Sequence, residues 1–208
     1  MTIRPGDVWG VQVPRPAELV RVTSDAELVR VAFGAGRPPV QLRGGDLART
    51  LGVSGAADAA VGSDEQVVLE YPIDVVEVAT DMGDFVACAH VVACRPAERG
   101  GRWFGPVIAV MNAEFIGSWD VAPRGHPNDG RVEIVEVDAR FSIRERLVAR
   151  RRLPLGTHVP HPAISSRSVR EGSFEFASPM VVRVDGVKVG RCRSLGVRVR
   201  PDAVVVYA

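Results

Sequence analysis

Four aspartates sit in or beside otherwise apolar runs: Asp25 in Thr23-Ser24-Asp25-Ala26-Glu27, Asp74 in Tyr71-Pro72-Ile73-Asp74-Val75, Asp129 in Asn128-Asp129-Gly130, and Asp185 in Val184-Asp185-Gly186. A carboxylate so placed can take a proton from a hydroxyl or, with other hard oxygens, hold a magnesium ion. Each also has a reading without chemistry. Asp25 belongs to a helix start, Asn128-Asp129-Gly130 is an Asx-type turn, and Asp185-Gly186 is a type I′ hairpin turn. His158 and His161 have a three-residue spacing that a metal could use, but no Cys, Asp or Glu accompanies them, so they read as turn and packing residues. Arg144, Arg146, Arg150, Arg151 and Arg152 form a basic run that reads first as a solvated helix face and second as a contact for anionic head groups. Trp103, Phe104 and Trp119 flank a Gly/Pro-rich stretch and read as buried core.

The bulk numbers narrow the classes. A chain of 208 residues can bury a sound core as one large domain, or one domain with a fragment. Its formal net charge of +1 and pI near 7.8 give no global pull toward nucleic acid or membrane. Cys88, Cys94 and Cys192 form no CxxC pair and leave one thiol over in any pairing, which points to a reduced, cytoplasmic compartment and small buried hydrophobes. No signal-peptide pattern opens the chain, and no apolar run reaches the roughly 18 residues that cross a bilayer.

The elements that must position the acids follow from pattern. Residues 1–22 read as an irregular lead-in, broken by Pro5, Pro14 and Pro16, with one short strand at Val20 to Val22. Ser24 and Glu27 form a capping box ahead of a short helix stopped by Gly34; Val40 to Leu42 makes a short strand; Asp46 can cap a second short helix, Leu47 to Leu51, closed by Gly52. Residues 56–62 read as a linker. From Gln66 the pattern turns to β, with strands expected at 66–71, 73–79, 85–94, 103–111, 131–138, 174–176, 180–184, 188–192, 196–200 and 203–207. Ser142 and Glu145 cap a helix whose Ile143, Leu147 and Val148 form an apolar stripe. The expectation is an α+β, mainly β chain: a small degenerate α/β remnant over residues 1–62 and an antiparallel β-sandwich over residues 63–208.

Four stretches carry a resemblance. Phe115 to Val137, Val181 to Gly190, the segment RGGDLARTLGV, and Gly156-Thr157-His158 together resemble the diacylglycerol kinase and sphingosine kinase superfamily, over about residues 20–208. The resemblance implies roles. Asp129 would give its carboxylate to a structural magnesium completed by the backbone carbonyls of His126 and Arg131. Asp185 would face the lipid hydroxyl, Asp74 would join the domains beside the active site, and Asp25 would stand where the family's glycine-rich loop has its aspartate. Gly44, Gly45 and Asp46 would mark the floor of the nucleotide pocket.

The chain departs from the family where phosphate should bind. Relatives carry GGDGTLNE, whereas this chain reads Thr23-Ser24-Asp25-Ala26-Glu27-Leu28-Val29, so the glycines that admit phosphate to backbone N–H groups are gone. Fewer βα units precede it, and the helical insert between Asp84 and Asn112 is missing. Because phosphoryl transfer rests on positioning and charge neutralisation, the resemblance then implies a non-catalytic homologue that binds a lipid or a partner protein. The alternative is a minimal ATP-dependent lipid kinase completed by a homodimer. Magnesium is expected and an ATP site is disfavoured; no nucleic acid and no membrane span are expected, only peripheral contact.

Overall fold

The computed structural model of the protein describes residues 9–53 and 66–208. In chain order the elements are β1 (Val11–Pro14), β2 (Val20–Val22), α1 (Asp25–Ala32), β3 (Val40–Leu42), α2 (Asp46–Thr50), β4 (Val67–Thr80), β5 (Gly83–Ala87), β6 (His90–Cys94), β7 (Val107–Met111), β8 (Phe115–Ile116), β9 (Trp119–Asp120), β10 (Val132–Val137), α3 (Ile143–Arg152), β11 (Ile164–Val169), β12 (Glu171–Val184) and β13 (Val187–Tyr207). The expected linker and the boundary at residue 62 lie outside the described residues.

Apolar alternation along β4, β12 and β13 makes long antiparallel ladders, and eleven strands join one hydrogen-bonded sheet, eight along the path β1-β4-β13-β12-β6-β7-β10-β11 and β2, β3 and β5 branching from it. Val76 and Val78 of β4 nevertheless share one core with Val132 and Ile134 of β10, with four strands between them on that path. The sheet therefore folds over on itself and packs face to face, as a sandwich does. The fold is α+β and mainly β.

Several strands expected in pieces are continuous. Pro72 does not end β4, because β1 stops pairing at Val11 opposite Glu70, so the missing proline N–H faces no ladder there. Trp9 donates its indole N–H to the Pro72 carbonyl at 3.3 Å. In β12 a register shift between Glu175 and Met180 absorbs Ala177-Ser178-Pro179, and in the β13–β4 ladder another between Arg200 and Val204 absorbs Pro201-Asp202. The expected strand 85–94 is instead split at Cys88-Ala89 into β5 and β6. β1 lies in the lead-in that was read as irregular, and β11, whose sequence ISSRSV is largely polar, was not foreseen.

The amino-terminal elements pack on the same sheet. β3 runs parallel to both β2 and the end of β13, and Val22, Leu28, Leu42 and Leu47 are fully buried with Ile73, Val75 and Val206. Each such side chain contributes roughly 1.5–3 kcal/mol of transfer free energy. α3 departs from its expected packing. Its capping box forms as read, Glu145 N–H donating to Ser142 Oγ and Ser142 N–H to Glu145. The stripe Ile143, Leu147 and Val148, however, is exposed at 45–48%. Arg146 is the buried residue of this helix, because its guanidinium bonds the carbonyls of Phe141, Arg102 and Gly105.

Candidate functional site

Helix α2 is only five residues long, and its own N-cap residue, Gly45, offers no side chain to its free N–H groups. Asp25, at the start of α1, supplies the cap: its carboxylate accepts from Asp46 N–H at 2.7 Å and Leu47 N–H at 3.1 Å. Close approaches explain both glycines. A Cβ on Gly45 would lie 2.4 Å from Asp25 Oδ1, and one on Gly44 would lie 2.6 Å from the Thr23 carbonyl oxygen. The rest of the Thr23–Glu27 turn closes on itself, with Thr23 N–H donating to Glu27 at 2.9 Å and Glu27 N–H to Ser24 Oγ at 3.3 Å.

Asp46 then reaches out of the helix. Its Oδ2 lies 2.8 Å from Nε2 of buried His90, and its Oδ1 accepts from Gly117 N–H at 2.6 Å. Arg49 donates to the Gly117 carbonyl and Thr50 Oγ1 accepts from Glu114 N–H, so α2 holds the β8–β9 hairpin in place.

Asp185 completes this group. The Asp185-Gly186 turn has φ of +46° and +79°, as a type I′ hairpin requires, and it aims the carboxylate at three successive backbone N–H groups, Cys88, Ala89 and His90, each at 2.9 Å. Those N–H groups are withdrawn from any ladder, which is why β5 and β6 are separate strands.

Burial pushes the Asp25 carboxyl up to about 6 from an ordinary 3.8; the Asp46 and Leu47 N–H groups oppose the rise, and the charges of Asp185 and Asp46 reinforce it. Burial opposes protonation of His90, but its hydrogen bond to Asp46 and the charges of Asp185, Asp46 and Asp25 outweigh that, and its pKa is raised above 6.5. Both shifts have one sign. Groups that hold protons more tightly when folded stabilise the fold at low pH, and the contribution fades as pH rises through the folded values. For Asp25 it is present in full below about pH 4 and lost by about pH 7, with an upper bound of about 3 kcal/mol. Thermal unfolding at a series of pH values should therefore show a Tm that falls less steeply between pH 4 and 7 in Asp25→Asn than in the wild type. Equal slopes would contradict this.

A second polar group lies at the Asn128-Asp129-Gly130 loop. Fully buried Asp74 accepts from Gly130 N–H at 2.6 Å, Asp202 N–H at 2.9 Å and Asn128 Nδ2 at 3.3 Å. Burial raises the Asp74 pKa while these donors oppose it. Asp129 accepts from Arg131 N–H at 2.9 Å, the geometry of an Asx turn. His126 Nδ1 accepts from Asn128 N–H and its ring packs on Trp9, while Arg131 donates to Ser168. For the expected magnesium, Asp129 retains one carboxylate oxygen. Among the described residues no group of three or more His, Cys, Asp or Glu gathers to hold a metal.

Beyond His90 the molecule opens into an apolar cavity of about 290 Å³ between α3 and the sheet strands β6, β7 and β10. Val92, Ala109 and Val135 are on its walls. Trp103 and Trp119 are half-buried at its edge, Trp119 packing against the core residues Ala109, Met111, Val121 and Val135, and Phe104 is 50% exposed. His158 is buried against it, and His161 stacks on Phe141 with ring centroids 4.8 Å apart.

This arrangement of strands has known counterparts. A diacylglycerol kinase structure from Bacillus anthracis str. Sterne superposes with a TM-score of 0.60 at 16% identity, covering 90% of this chain and 75% of the other. Two further structures of proteins assigned as diacylglycerol kinases from the same organism give TM-scores of 0.65 and 0.63 at 15% and 16% identity, over 90% of this chain and 76% and 77% of theirs. The chain has the diacylglycerol kinase fold. No family sequence model and no curated protein matches it.

Within this lipid-kinase-like fold the acids read from the sequence divide into two groups. Asp25, Asp46 and Asp185 meet around His90, whereas Asp74 and Asp129 sit at the other loop. Asn112 links the groups, its Nδ2 donating to the Asp74 carbonyl at 2.9 Å and the Cys88 carbonyl at 2.7 Å. Neither His90 nor Asn112 was singled out from sequence. The signal was there: each is a polar residue at the end of a run such as HVVA or VIAVM, where an apolar face has no other reason to carry one.

Proposed function

We propose that this protein is a non-catalytic relative of the diacylglycerol kinases that binds a lipid in the cavity beneath α3. The observation that carries the reading is the position of Asp25. It lies in the turn that resembles the family's phosphate loop, and its carboxylate is engaged in capping α2, while Glu27 occupies the N–H of Thr23. Phosphate binding at a turn requires free backbone N–H groups and an approach clear of negative side chains; here Glu27 takes the Thr23 N–H and Asp25 takes those of Asp46 and Leu47, so two carboxylates stand in the approach. The apolar cavity needs no such loop, and its size and lining suit a hydrocarbon.

The alternative is an ATP-dependent lipid kinase whose phosphate site a second copy completes, with magnesium at the Asp129 loop. The convergence of Asp25, Asp46 and Asp185 on His90 favours it. Calorimetric titration with magnesium-ATP, paired with an assay for phosphate transfer to diacylglycerol or a sphingoid base, separates the two. No heat of binding and no transfer is the expected result. Micromolar binding, or any magnesium-dependent transfer, would overturn the non-catalytic reading.

A further inference from the structure

The cavity beneath α3 has an electrostatic bias that its apolar walls do not show. Four arginines line it, Arg102, Arg146, Arg150 and Arg183, and no Asp or Glu does. Elsewhere in the described residues arginines are found against acids: Arg140 with Asp138, Arg167 with Glu136, Arg191 with Glu98, Arg198 with Glu171 and Arg200 with Glu77. None of the four at the cavity has a carboxylate partner among the described residues.

Two features hold this charge in place. Arg146 is 7% exposed and each of its three nitrogens is bonded, but only to carbonyls, those of Phe141, Arg102, Gly105 and Asp138, so its charge is not neutralised. Burial, together with the nearby positive charge of Arg95, lowers the Arg146 pKa. At the rim, the guanidinium of Arg102 lies 5.9 Å from the Trp103 ring centre and 5.4 Å from that of Trp119, and that of Arg150 lies 5.7 Å from Trp103. Planar cations resting on aromatic faces are pre-organised for a carboxylate or phosphate fork. Arg183, on the β12–β13 hairpin, closes the ring and is exposed. Further in, His90 keeps a buried Nδ1 with no hydrogen-bond partner.

The cavity's size sets the tail. A volume of about 290 Å³ is at the bottom of the roughly 300–1,000 Å³ spanned by small-molecule pockets. A site at that end of the range favours one hydrocarbon chain over two.

We infer that the ligand of this cavity is a single-chain amphiphile with an anionic head, a carboxylate or phosphate monoester, selected over neutral amphiphiles by the arginine rim. The inference rests on the lipid-binding reading and gives it a head-group chemistry and a chain number.

The test uses the whole protein and two probes of equal tail, dodecanoate and dodecanol, followed by the fluorescence of the tryptophans at the rim and by calorimetry. Dodecanoate should bind at least about tenfold more tightly than dodecanol, a difference of about 1.4 kcal/mol. In the variant carrying Arg102→Gln and Arg150→Gln, both surface changes, that preference should fall to about twofold or less, with dodecanol affinity unchanged. Ala109→Phe, which fills the cavity wall, should abolish binding of both probes and so locate the site. Equal affinity for the two probes, or a preference that survives the double variant, overturns the anionic head while leaving lipid binding intact. Binding of neither probe overturns the lipid-binding reading and the inference together. A phosphate monoester of dodecanol distinguishes the two heads: tighter binding than dodecanoate assigns phosphate, weaker binding assigns carboxylate.

Discussion

Replacement of Asp185 by alanine is expected to lower the stability of the protein by about 3–5 kcal/mol, with no ligand present. The carboxylate is the shared acceptor for the N–H groups of Cys88, Ala89 and His90, residues that are 1%, 0% and 4% exposed. A buried donor left without a partner costs roughly 1–3 kcal/mol, and water entering beside half-buried Asp185 keeps each loss near the lower end. Alanine at φ of +46° adds about 1 kcal/mol of backbone strain. In a chain of this size the Tm should drop by roughly 10 °C. Asp185→Asn, which keeps an acceptor oxygen, should lose about half as much. Urea unfolding measures both. The result discriminates between roles, because groups held for catalysis tend to cost stability and their removal is commonly neutral or stabilising. A loss under about 1 kcal/mol would mean that the fold does not need this carboxylate, and would return it to the list of candidate catalytic groups.

Asp74→Ala should be comparably damaging, at about 3–5 kcal/mol, for a related reason. Asp74 is fully buried and ties two separate parts of the chain to β4: the Asn128–Gly130 loop through two donors, and the Asp202 kink of β13 through a third. Removing it orphans the N–H of buried Gly130 and that of Asp202, which lies nearer the surface. The loss should also be local before it is global. Hydrogen exchange of the Asp74→Ala variant should quicken first at residues 126–131 and 200–204, while the ladder between β6 and β7 keeps its protection. Uniform acceleration across the sheet would contradict a latch role. Together the two variants ask whether the aspartates that resemble lipid-kinase catalytic groups are, in this chain, structural acceptors.

Much of the molecule was legible locally. The Asp185-Gly186 turn, the Ser142 and Glu145 cap of α3, the short strands Val20–Val22 and Val40–Leu42, and the β character from residue 66 on were all read from spacing and turn chemistry, which act over a few residues. The failures were failures of that same local reach. Pro72, Pro179 and Pro201 read as strand ends, yet β4, β12 and β13 run through them, because an edge position or a register shift removes the need for the absent N–H. Ile143, Leu147 and Val148 have helical spacing but face outward, since the space under α3 is an open cavity edged by Arg146 rather than packed core. β11 was missed because its partners Ile134 and Val135 supply the burial that its own sequence lacks.

By itself the sequence determined the β-rich class, the Asp185-Gly186 turn and the local caps of α1 and α3, and the identity of the acids. Those depend on backbone preference and on side chains within one turn of each other. Only the tertiary structure decided what the acids do, because their partners are remote: Asp25 and Asp46 are 21 residues apart, Asp46 and His90 are 44, and Asp185 and Cys88 are 97. A carboxylate has the same composition and local spacing whether it faces a nucleotide or three backbone N–H groups. Its role is set by the donors that folding brings within 3 Å, and no local pattern encodes those.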